Sequence, residues 1–342
     1  MLKKLLVLIA LMGVVATPEL FAEDSWDMDS YGRVRSTVQY KDQDDGASHY
    51  AWYDMTTDAF IGIKATKDVG EGWKSSATIE AELLSADTVV LPQYMYVTLE
   101  NSYANLSVGR QESSGTKLGG KYMENIDESL SIAETIGTGD FFKLGLNQAG
   151  LTFVTGRHAK SDDSGNTVGP RYDESVLGLY YDHNIAETYP IAFSIANIDE
   201  APSKNQSAAI IAQGHGDERY TAYSFSFGVP VSNVEFSFNY DHFHQTHLDS
   251  SSTPDVLKNT IVMGFDLDLP YELGYSFLYS SQSIDDGSPA LTDYTGYDMT
   301  LLWPFKGMNF FGSYSTQITK DADEADTRYI LYGAGLAYHF GK

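Results

Sequence analysis

The stretch Val234-Glu235-Phe236-Ser237-Phe238-Asn239-Tyr240-Asp241 alternates strictly between apolar or aromatic residues and polar residues. Successive side chains of a β-strand point to opposite faces, so this stretch is predicted to be a strand with one apolar and one polar face. The apolar face ends in the aromatic Tyr240, whereas the polar face carries Glu235 and Asp241. A strand of this kind fits a wall that has an apolar medium on one side and water on the other.

The same alternation recurs along the chain and predicts about 16 strands of roughly 9–11 residues, the length that crosses a bilayer at a tilt. The predicted strands are 31–40, 60–66, 73–84, 93–100, 105–111, 141–146, 151–158, 174–183, 189–198, 219–228, 234–241, 257–269, 271–281, 294–303, 308–318 and 328–340. Their order without intervening helices predicts an all-β fold made of antiparallel neighbours.

The connections between the predicted strands alternate in length. Short turns such as Asp68–Gly72 and Asn101–Ala104 are followed by longer polar loops such as Lys41–Met55 and Asp199–Glu218. Short turns on one side and long loops on the other are typical of outer-membrane β-barrels. The sequence therefore predicts a transmembrane antiparallel barrel.

A soluble β-sandwich is the alternative to a membrane barrel. The predicted apolar faces end in aromatic residues such as Phe227, Tyr279 and Phe340, a pattern that matches the aromatic girdles at lipid interfaces. The opposite faces carry charged residues such as Arg33 and Glu80, which need water. A sandwich would have to bury one face dry, so a barrel with a wet lumen is favoured.

Composition excludes several classes of function. The 342 residues contain no cysteine, which excludes a disulfide framework and thiolate metal sites. The formal net charge of −25 argues against nucleic acid as a partner, because phosphate binding needs basic patches. No motif for a cofactor or a catalytic nucleophile is present, so no cofactor is predicted.

Residues 1–22 have the features of a secretory signal peptide. Lys3 and Lys4 precede the apolar segment Leu5–Ala16, which is too short for a spanning helix, and Leu20-Phe21-Ala22 is a plausible cleavage site. A retained membrane anchor is the alternative. Cleavage would leave residues 23–342 as the barrel; it would remove two positive charges and one negative charge, so the net charge would change from −25 to −26.

The longest interval without a strand pattern is Glu112–Asp140. A loop of roughly 29 residues inside a compact β protein is uncommon and usually functional or disordered. Ile126, Leu130 and Ala133 fall at i, i+4 and i+7, which predicts a short helical turn with one apolar face. We expect this loop, the third long one, to fold into the lumen and narrow it.

The chain resembles the general porins, the trimeric diffusion channels of Gram-negative outer membranes, over its whole mature length. The resemblance rests on Tyr31-Gly32-Arg33-Val34, Val69-Gly70-Glu71-Gly72-Trp73-Lys74, Tyr96-Val97-Thr98-Leu99, Leu106-Ser107-Val108-Gly109-Arg110-Gln111 and the ending Leu336-Ala337-Tyr338-His339-Phe340. Two features depart from the family pattern: Gly341 and Lys342 follow the final Phe340, and the long loop lacks a Pro-Glu-Phe-Gly-Gly run.

The resemblance implies a pore constriction in which loop acids face basic residues of the barrel wall. The candidates are Arg33, Arg35, Lys64 and Arg110 on the wall and Glu124, Asp127, Glu128 and Glu134 on the loop. Strict alternation, however, places Arg110 on the lipid side with Leu106 and Val108, unless a bulge near Gly109 re-aims it. Each arginine or lysine is alternatively a solvated wall residue or a member of a local ion pair, and the loop acids alternatively hold the loop to the wall through backbone hydrogen bonds.

The expected function is passive diffusion of small hydrophilic solutes and ions through a homotrimer, with a preference for cations because the chain is acidic. Lipid and lipopolysaccharide of the outer membrane are the expected partners. One alternative is a substrate-specific porin with a saturable site along Tyr94, Tyr96 and Tyr122. Another is a barrel enzyme that uses Ser113 or Ser114 with a distant histidine.

Two polar groups suggest cation binding only weakly. His242, His244 and His247 cluster near the end of a predicted strand, and acidic residues cluster at Asp321–Asp326. The acidic run lacks the spacing of an EF-hand, so a solvated surface explains it better than a calcium site. Bridging by divalent ions to lipopolysaccharide is the functional alternative for the acids.

Overall fold

The computed structural model is a closed barrel of sixteen antiparallel strands, in which each strand pairs with its sequence neighbours and β16 pairs with β1. It describes residues 26–44, 46, 48–84, 90–112, 138–159, 172–186, 188–202, 218–247, 255–285, 287, 292–320 and 326–341. The fold class and the number of strands predicted from the alternation are confirmed.

The strands have the following bounds: β1 Asp27–Asp44, β2 His49–Gly70, β3 Trp73–Leu84, β4 Val90–Glu100, β5 Ala104–Glu112, β6 Thr138–Leu146, β7 Leu151–Ala159, β8 Tyr172–Ile185, β9 Tyr189–Pro202, β10 Glu218–Val231, β11 Val234–His247, β12 Val256–Asp268, β13 Gly274–Asp285, β14 Thr292–Phe305, β15 Met308–Lys320 and β16 Thr327–Gly341. In the connections that the structure describes, single 3₁₀ turns are formed by Asn147–Ala149 and Pro270–Glu272. Among the residues that the structure describes, no helix is long and apolar enough to cross a membrane.

The prediction of a loop over Lys41–Met55 is wrong, because β1 continues to Asp44 and β2 already begins at His49. The register pairs Lys41 with Trp52 without interruption. The acidic residues of this segment suggested a solvated loop. Backbone hydrogen bonds form whatever the side chains are, so β1 and β2 remain paired through this segment.

The two faces of the wall have opposite chemistry. Side chains that point into a closed barrel converge and bury one another, whereas those that point outward diverge. On β1 the inward Thr37 and Gln39 are buried while the outward Val34 and Val38 are exposed. Polar residues thus line the interior and an apolar band surrounds it, the reverse of a soluble protein and the arrangement of a barrel in lipid.

Glycines accommodate aromatic rings at the seam between the first and last strands. A Cβ built on Gly32 of β1 would lie 2.4 Å from Cζ of Phe340 on β16 and 2.5 Å from the carbonyl oxygen of Phe60. Gly341 has φ +81 and pairs with Tyr31, so β16 continues one residue past the aromatic. The ending Phe340-Gly341 is therefore part of the closure of the barrel.

Candidate functional site

Two arginines lie on the inner face of β1, near the middle of the strand. The register places Arg33 between Phe60 of β2 and His339 of β16, and it places Arg35 beside Ala337. The guanidinium carbon of Arg33 lies 5.3 Å from the centre of the Phe60 ring, which is a cation–π distance. Arg35 is buried. The predicted inward direction of both residues agrees with the structure.

A tyrosine bridges two strands beside these arginines. The Tyr31 ring covers Gly62 of β2, where a built Cβ would lie 2.3 Å from Tyr31 Cζ. The Tyr31 hydroxyl donates a hydrogen bond to the Glu80 carboxylate on β3. A glycine at position 62 thus allows the ring to cross β2 and hold the buried Glu80 in one place. Arg33 and Glu80 together put fixed charges of both signs on this part of the wall.

Lys64 shares the inner face of β2 with Gly62. The register places it between Asp29 of β1 and Thr78 of β3. On β2, Lys64 lies nearer to the short turn at Gly70 than Phe60, which is the residue paired with Arg33. The Lys64 side chain is exposed. Its charge is therefore more strongly screened by water than that of the buried Arg35.

Arg110 lies on the outer face of β5. The ladder between β4 and β5 runs without a shift and pairs Arg110 with the outward Met95. The inward Ser107 hydroxyl donates to Gln111 Oε1 at 2.9 Å, which fixes the alternation around Gly109. The re-aiming bulge considered for Arg110 is not seen, and we do not place this residue at the constriction.

Large apolar residues form a cluster on the inner face of β6–β8. Its members are Phe141, Val154, Val176 and Tyr180, and Phe243 of β11 packs against them. Phe141 and Val154 are 1% and 0% exposed. The cluster is unexpected in a polar lumen, because apolar residues gain little from facing water.

The inner face of β13–β15 carries hydroxyl groups instead. Ser276, Thr300 and Ser315 lie on adjoining strands and are buried. The Ser276 hydroxyl donates a hydrogen bond to the Asp266 carboxylate on β12. Leu302, Phe311 and the buried Asp298 lie on the same face. This sector thus combines hydroxyl groups with apolar side chains and one carboxylate, whereas the sector of β1–β4 carries arginines and aromatic rings.

The histidines of β11 make separate pairs. His242 Nδ1 lies 2.7 Å from Asn259 Oδ1, and His244 Nε2 lies 3.2 Å from Asp255 Oδ2. In the described part of the chain, no group of three or more histidine, cysteine or acidic side chains is arranged to hold a metal ion.

The model of a protein family described as Gram-negative porin matches residues 7–342. The chain belongs to the Gram-negative porin family. No curated protein matches it.

Solved structures share the fold of this porin at low sequence identity. The OmpT of Vibrio cholerae in its trimer form superimposes with a TM-score of 0.67 at 11% identity, over 93% of this chain and 100% of that one. The anion-selective porin of Comamonas acidovorans superimposes with a TM-score of 0.67 at 13% identity, over 92% of this chain and 100% of that one. The OmpF of Salmonella typhi in complex with daunomycin superimposes with a TM-score of 0.62 at 13% identity, over 93% of this chain and 98% of that one. These likenesses show the fold, and the family supports an outer-membrane channel.

Sequence reasoning missed two charged residues of the porin's inner wall. Lys143 lies inward on β6, opposite Ser107 and Val154, and Asp298 lies buried on β14, opposite Ser315. The alternation around Lys143 was hidden because its inward neighbour Phe141 is apolar. Asp298 could have been found from its position two residues before Thr300 on one face of β14.

The four acidic loop candidates of the porin, Glu124, Asp127, Glu128 and Glu134, lie outside the described residues. So do residues 1–22, the predicted signal peptide, and Tyr122 of the predicted aromatic track.

Proposed function

We propose that this porin is a water-filled pore for the passive diffusion of small hydrophilic solutes and ions, with a preference for cations. The observation that carries the proposal is the reversed chemistry of its wall. Buried polar residues such as Thr37 and Gln39 point inward, and exposed apolar residues such as Val34 and Val97 point outward. Charged groups on the inner face need water, and a sixteen-stranded barrel has room for it.

Cation preference in this proposal rests on the loop together with the wall, which carries charges of both signs. Arg33, Arg35, Lys64 and Lys143 lie on the inner faces of their strands, and so do Glu80, Glu235, Asp241, Asp266 and Asp298. Four acidic residues of the loop between β5 and β6 exceed its two lysines, Lys117 and Lys121. Rings of acidic side chains favour cations, so a loop folded inward would decide the selectivity.

The apolar cluster on β6–β8 supports an inward fold of that loop. Four apolar side chains, with Phe243 packed against them, form an apolar surface on the inner wall that an apolar face of the loop could cover. The loop leaves β5 after Glu112 and returns at Thr138, three residues before Phe141. In our proposal the apolar face of Ile126, Leu130 and Ala133 packs on this cluster and positions the neighbouring acids in the lumen.

A homotrimer is supported by one part of the outer surface. The outward face of β1–β3 includes small residues such as Ala59 and Ala77 among larger ones such as Met55, and Ser36 and Thr57 share a hydrogen bond of 3.3 Å there. Outward residues of β10–β14 are instead large and aromatic, such as Phe236. A small, partly polar surface is suited to close protein contact, whereas the aromatic one is suited to lipid.

Export through a cleaved signal peptide, contact with lipopolysaccharide and the lack of enzymatic activity belong to the same proposal. A substrate-specific pore is the second candidate, and one observation favours it. Tyr94 and Tyr96 lie on the inner face of β4, opposite Glu80 and Thr78, so aromatic rings do border the charged sector.

Liposome swelling tests the diffusion proposal. Liposomes containing the mature protein should swell in solutions of uncharged sugars, at rates that fall smoothly as the sugar becomes larger. Empty liposomes and liposomes with heat-unfolded protein are the controls. Swelling that saturates with sugar concentration would favour the substrate-specific candidate, and no swelling would contradict both.

A further inference from the structure

The outer face of β14–β16 carries a group of aromatic side chains near the short turn that joins β14 to β15. Short turns lie at the periplasmic end of outer-membrane barrels. Trp303 and Phe305 on β14 are 52% and 45% exposed, whereas Leu302, which points into the lumen between them and the rest of the strand, is buried. Phe310 on β15 and Tyr338 on β16 are exposed on the same outer face. These rings therefore face the lipid and not the pore.

The rings form one surface that extends across three strands. The centre of the Trp303 ring lies 5.9 Å from that of Phe305 and 6.1 Å from that of Phe310. The register pairs Phe310 with the exposed Leu336, so the apolar surface continues onto β16. In a membrane such a surface is covered by acyl chains, and aromatic residues are enriched where the acyl chains meet the water.

An ammonium group lies at the rim of this surface. Lys306 and Gly307 form the two-residue turn between β14 and β15, and their φ values are 51° and 81°. Positive φ at both central residues is the hairpin geometry that matches the twist of the paired strands. The turn holds Lys306 Nζ 5.2 Å from the centre of the outward Phe305 ring, which is a cation–π distance. The positive charge is therefore held on the lipid side of the turn.

Tyr338 brings a second polar group to the same rim. A Cβ built on Gly307 would lie 3.9 Å from Tyr338 Cε2, which is bonded to the ring carbon that carries the hydroxyl. The hydroxyl end of the ring thus lies at the level of the turn, while the rest of the ring belongs to the apolar surface. An ammonium group and a phenol hydroxyl both donate hydrogen bonds, so the rim suits an anion with several acceptor oxygens.

This arrangement complements a glycerophospholipid. The phosphate of such a lipid is an anion that lies at the boundary between water and acyl chains, and a lysine near the membrane surface attracts it. The cation–π contact restrains the long lysine side chain, so less conformational freedom is lost when the phosphate binds. The periplasmic leaflet of the outer membrane consists of phospholipids, whereas lipopolysaccharide lies in the opposite leaflet. The position of the turn therefore selects a phospholipid.

We propose that the turn at Lys306 binds the phosphate of a glycerophospholipid of the periplasmic leaflet. The phosphate accepts hydrogen bonds from Lys306 Nζ and the Tyr338 hydroxyl, and the acyl chains lie along Trp303 and Phe310. The inference rests on the proposed function, because it requires the barrel to lie in the outer membrane, and it names one lipid partner of that barrel.

The test uses the fluorescence of Trp303 to detect the lipid. The chain has four tryptophans, so replacing Trp26, Trp52 and Trp73 by phenylalanine leaves Trp303 alone. Folded mature protein in an uncharged glycoside detergent is titrated with phosphatidylglycerol that carries brominated acyl chains, because bromine quenches tryptophan fluorescence on contact. Quenching should saturate. Diacylglycerol with the same brominated chains lacks the phosphate and should bind at least about fivefold more weakly.

Lys306→Asn in the same background removes the ammonium group and keeps the turn, because asparagine followed by glycine is a highly favourable sequence for a two-residue hairpin turn. It should weaken the binding of phosphatidylglycerol about fivefold and leave that of diacylglycerol unchanged.

Lys67→Asn is the matched control for Lys306→Asn. Lys67 lies near another short turn with its Nζ 5.9 Å from the centre of the Trp26 ring, but it belongs to β2. Its loss changes the net charge equally and should leave the quenching of Trp303 unchanged. An equal weakening in Lys67→Asn, or no weakening in Lys306→Asn, would contradict the site.

Two further results would overturn the proposal. Equal affinity for the two lipids would mean that acyl chains alone occupy the surface. Absence of quenching by either lipid in the folded protein would mean that a second copy of the chain covers Trp303.

Conductance of the unmodified protein in KCl separates this inference from the proposed function. Conducting protein that shows no preference for the phosphate-bearing lipid would overturn the lipid site and leave the pore standing. Folded protein that does not conduct would overturn the pore itself.

Discussion

The inner faces of β1–β4 and of β13–β15 belong to the same barrel and follow the same alternation, but they differ in what they carry. The first sector holds Arg33 against Phe60 and Glu80 against Tyr31. The second holds buried hydroxyl groups such as Ser276 and Ser315. The alternation of side chains along each strand decides which of them face the lumen. The charges of those side chains decide where the electric field in the lumen originates. A permeating ion therefore passes between a wall with Arg33, Arg35 and Glu80 and a wall that carries the buried Asp298 among hydroxyl groups.

Reversing a charge in the first sector should have the largest effect on permeation. Arg33→Glu changes the wall by two charge units, and one unit at about 4 Å in water is worth about 1 kcal/mol for a passing ion. We expect the ratio of potassium to chloride permeability to rise about fivefold or more. The measurement is the reversal potential of single channels in a KCl gradient.

Ser280→Glu is the comparison for Arg33→Glu, because Ser280 is a buried inward residue near the middle of β13. It adds a single negative charge to the sector that carries Asp298, whereas Arg33→Glu changes two charge units, so it should shift the ratio by less. An effect as large as that of Arg33→Glu would mean that the two sectors contribute equally, and the distinction between them would be lost.

Adding a methyl group at the seam between β1 and β16 should lower the stability of the barrel and leave the electric field in the lumen unchanged. Gly32→Ala puts a methyl group against both the Phe340 ring and the backbone of Phe60, so we expect a loss of about 1–3 kcal/mol. The measurement is the temperature at which the folded band disappears in semi-native electrophoresis. Gly312→Ala is the control, since nothing lies within 4 Å of a Cβ at that position. An altered reversal potential in Gly32→Ala would show that the outer seam and the inner wall are not independent.

Displacing the Tyr31 ring should have a moderate effect on conductance. In Gly62→Ala the new methyl group occupies the place of the ring, so Tyr31 has to move into the lumen and release Glu80. Single-channel conductance should fall by about a quarter, because a large aromatic ring then obstructs the pore. Conductance equal to that of the unmodified protein would indicate that this part of the wall does not border the narrowest point.

The smallest effect is expected at Lys64. Its side chain is exposed and lies nearer the short-turn end, so water and salt screen its charge. Lys64→Gln should change the permeability ratio by less than about a factor of 1.5. A shift comparable to that of Arg33→Glu would place Lys64 at the constriction, as the family resemblance implied.

The alternation of residues was sufficient to predict the sixteen strands, the closed barrel and the inward direction of Arg33, Arg35 and Lys64. The alternation did not predict the hairpin over Lys41–Met55. The acidic side chains of this segment suggested a loop, although its backbone is paired between β1 and β2. The alternation also missed Lys143, because apolar and charged residues share the inner face of β6. The bridge from Tyr31 to Glu80 was not predictable, since it depends on which glycine lies between them across β2. The family resemblance suggested Arg110 for the pore, whereas the alternation places it outward, as does its register with the outward Met95.

The central claim is a water-filled pore in which acidic residues outweigh the arginines of the wall. The most direct test is the reversal potential of the refolded mature protein, residues 23–342, in a planar bilayer under a KCl gradient. We predict conductance steps in groups of three and a reversal potential on the potassium side. A reversal potential on the chloride side would show that Arg33 and Arg35 dominate the constriction, and folded protein without conductance would contradict the pore altogether.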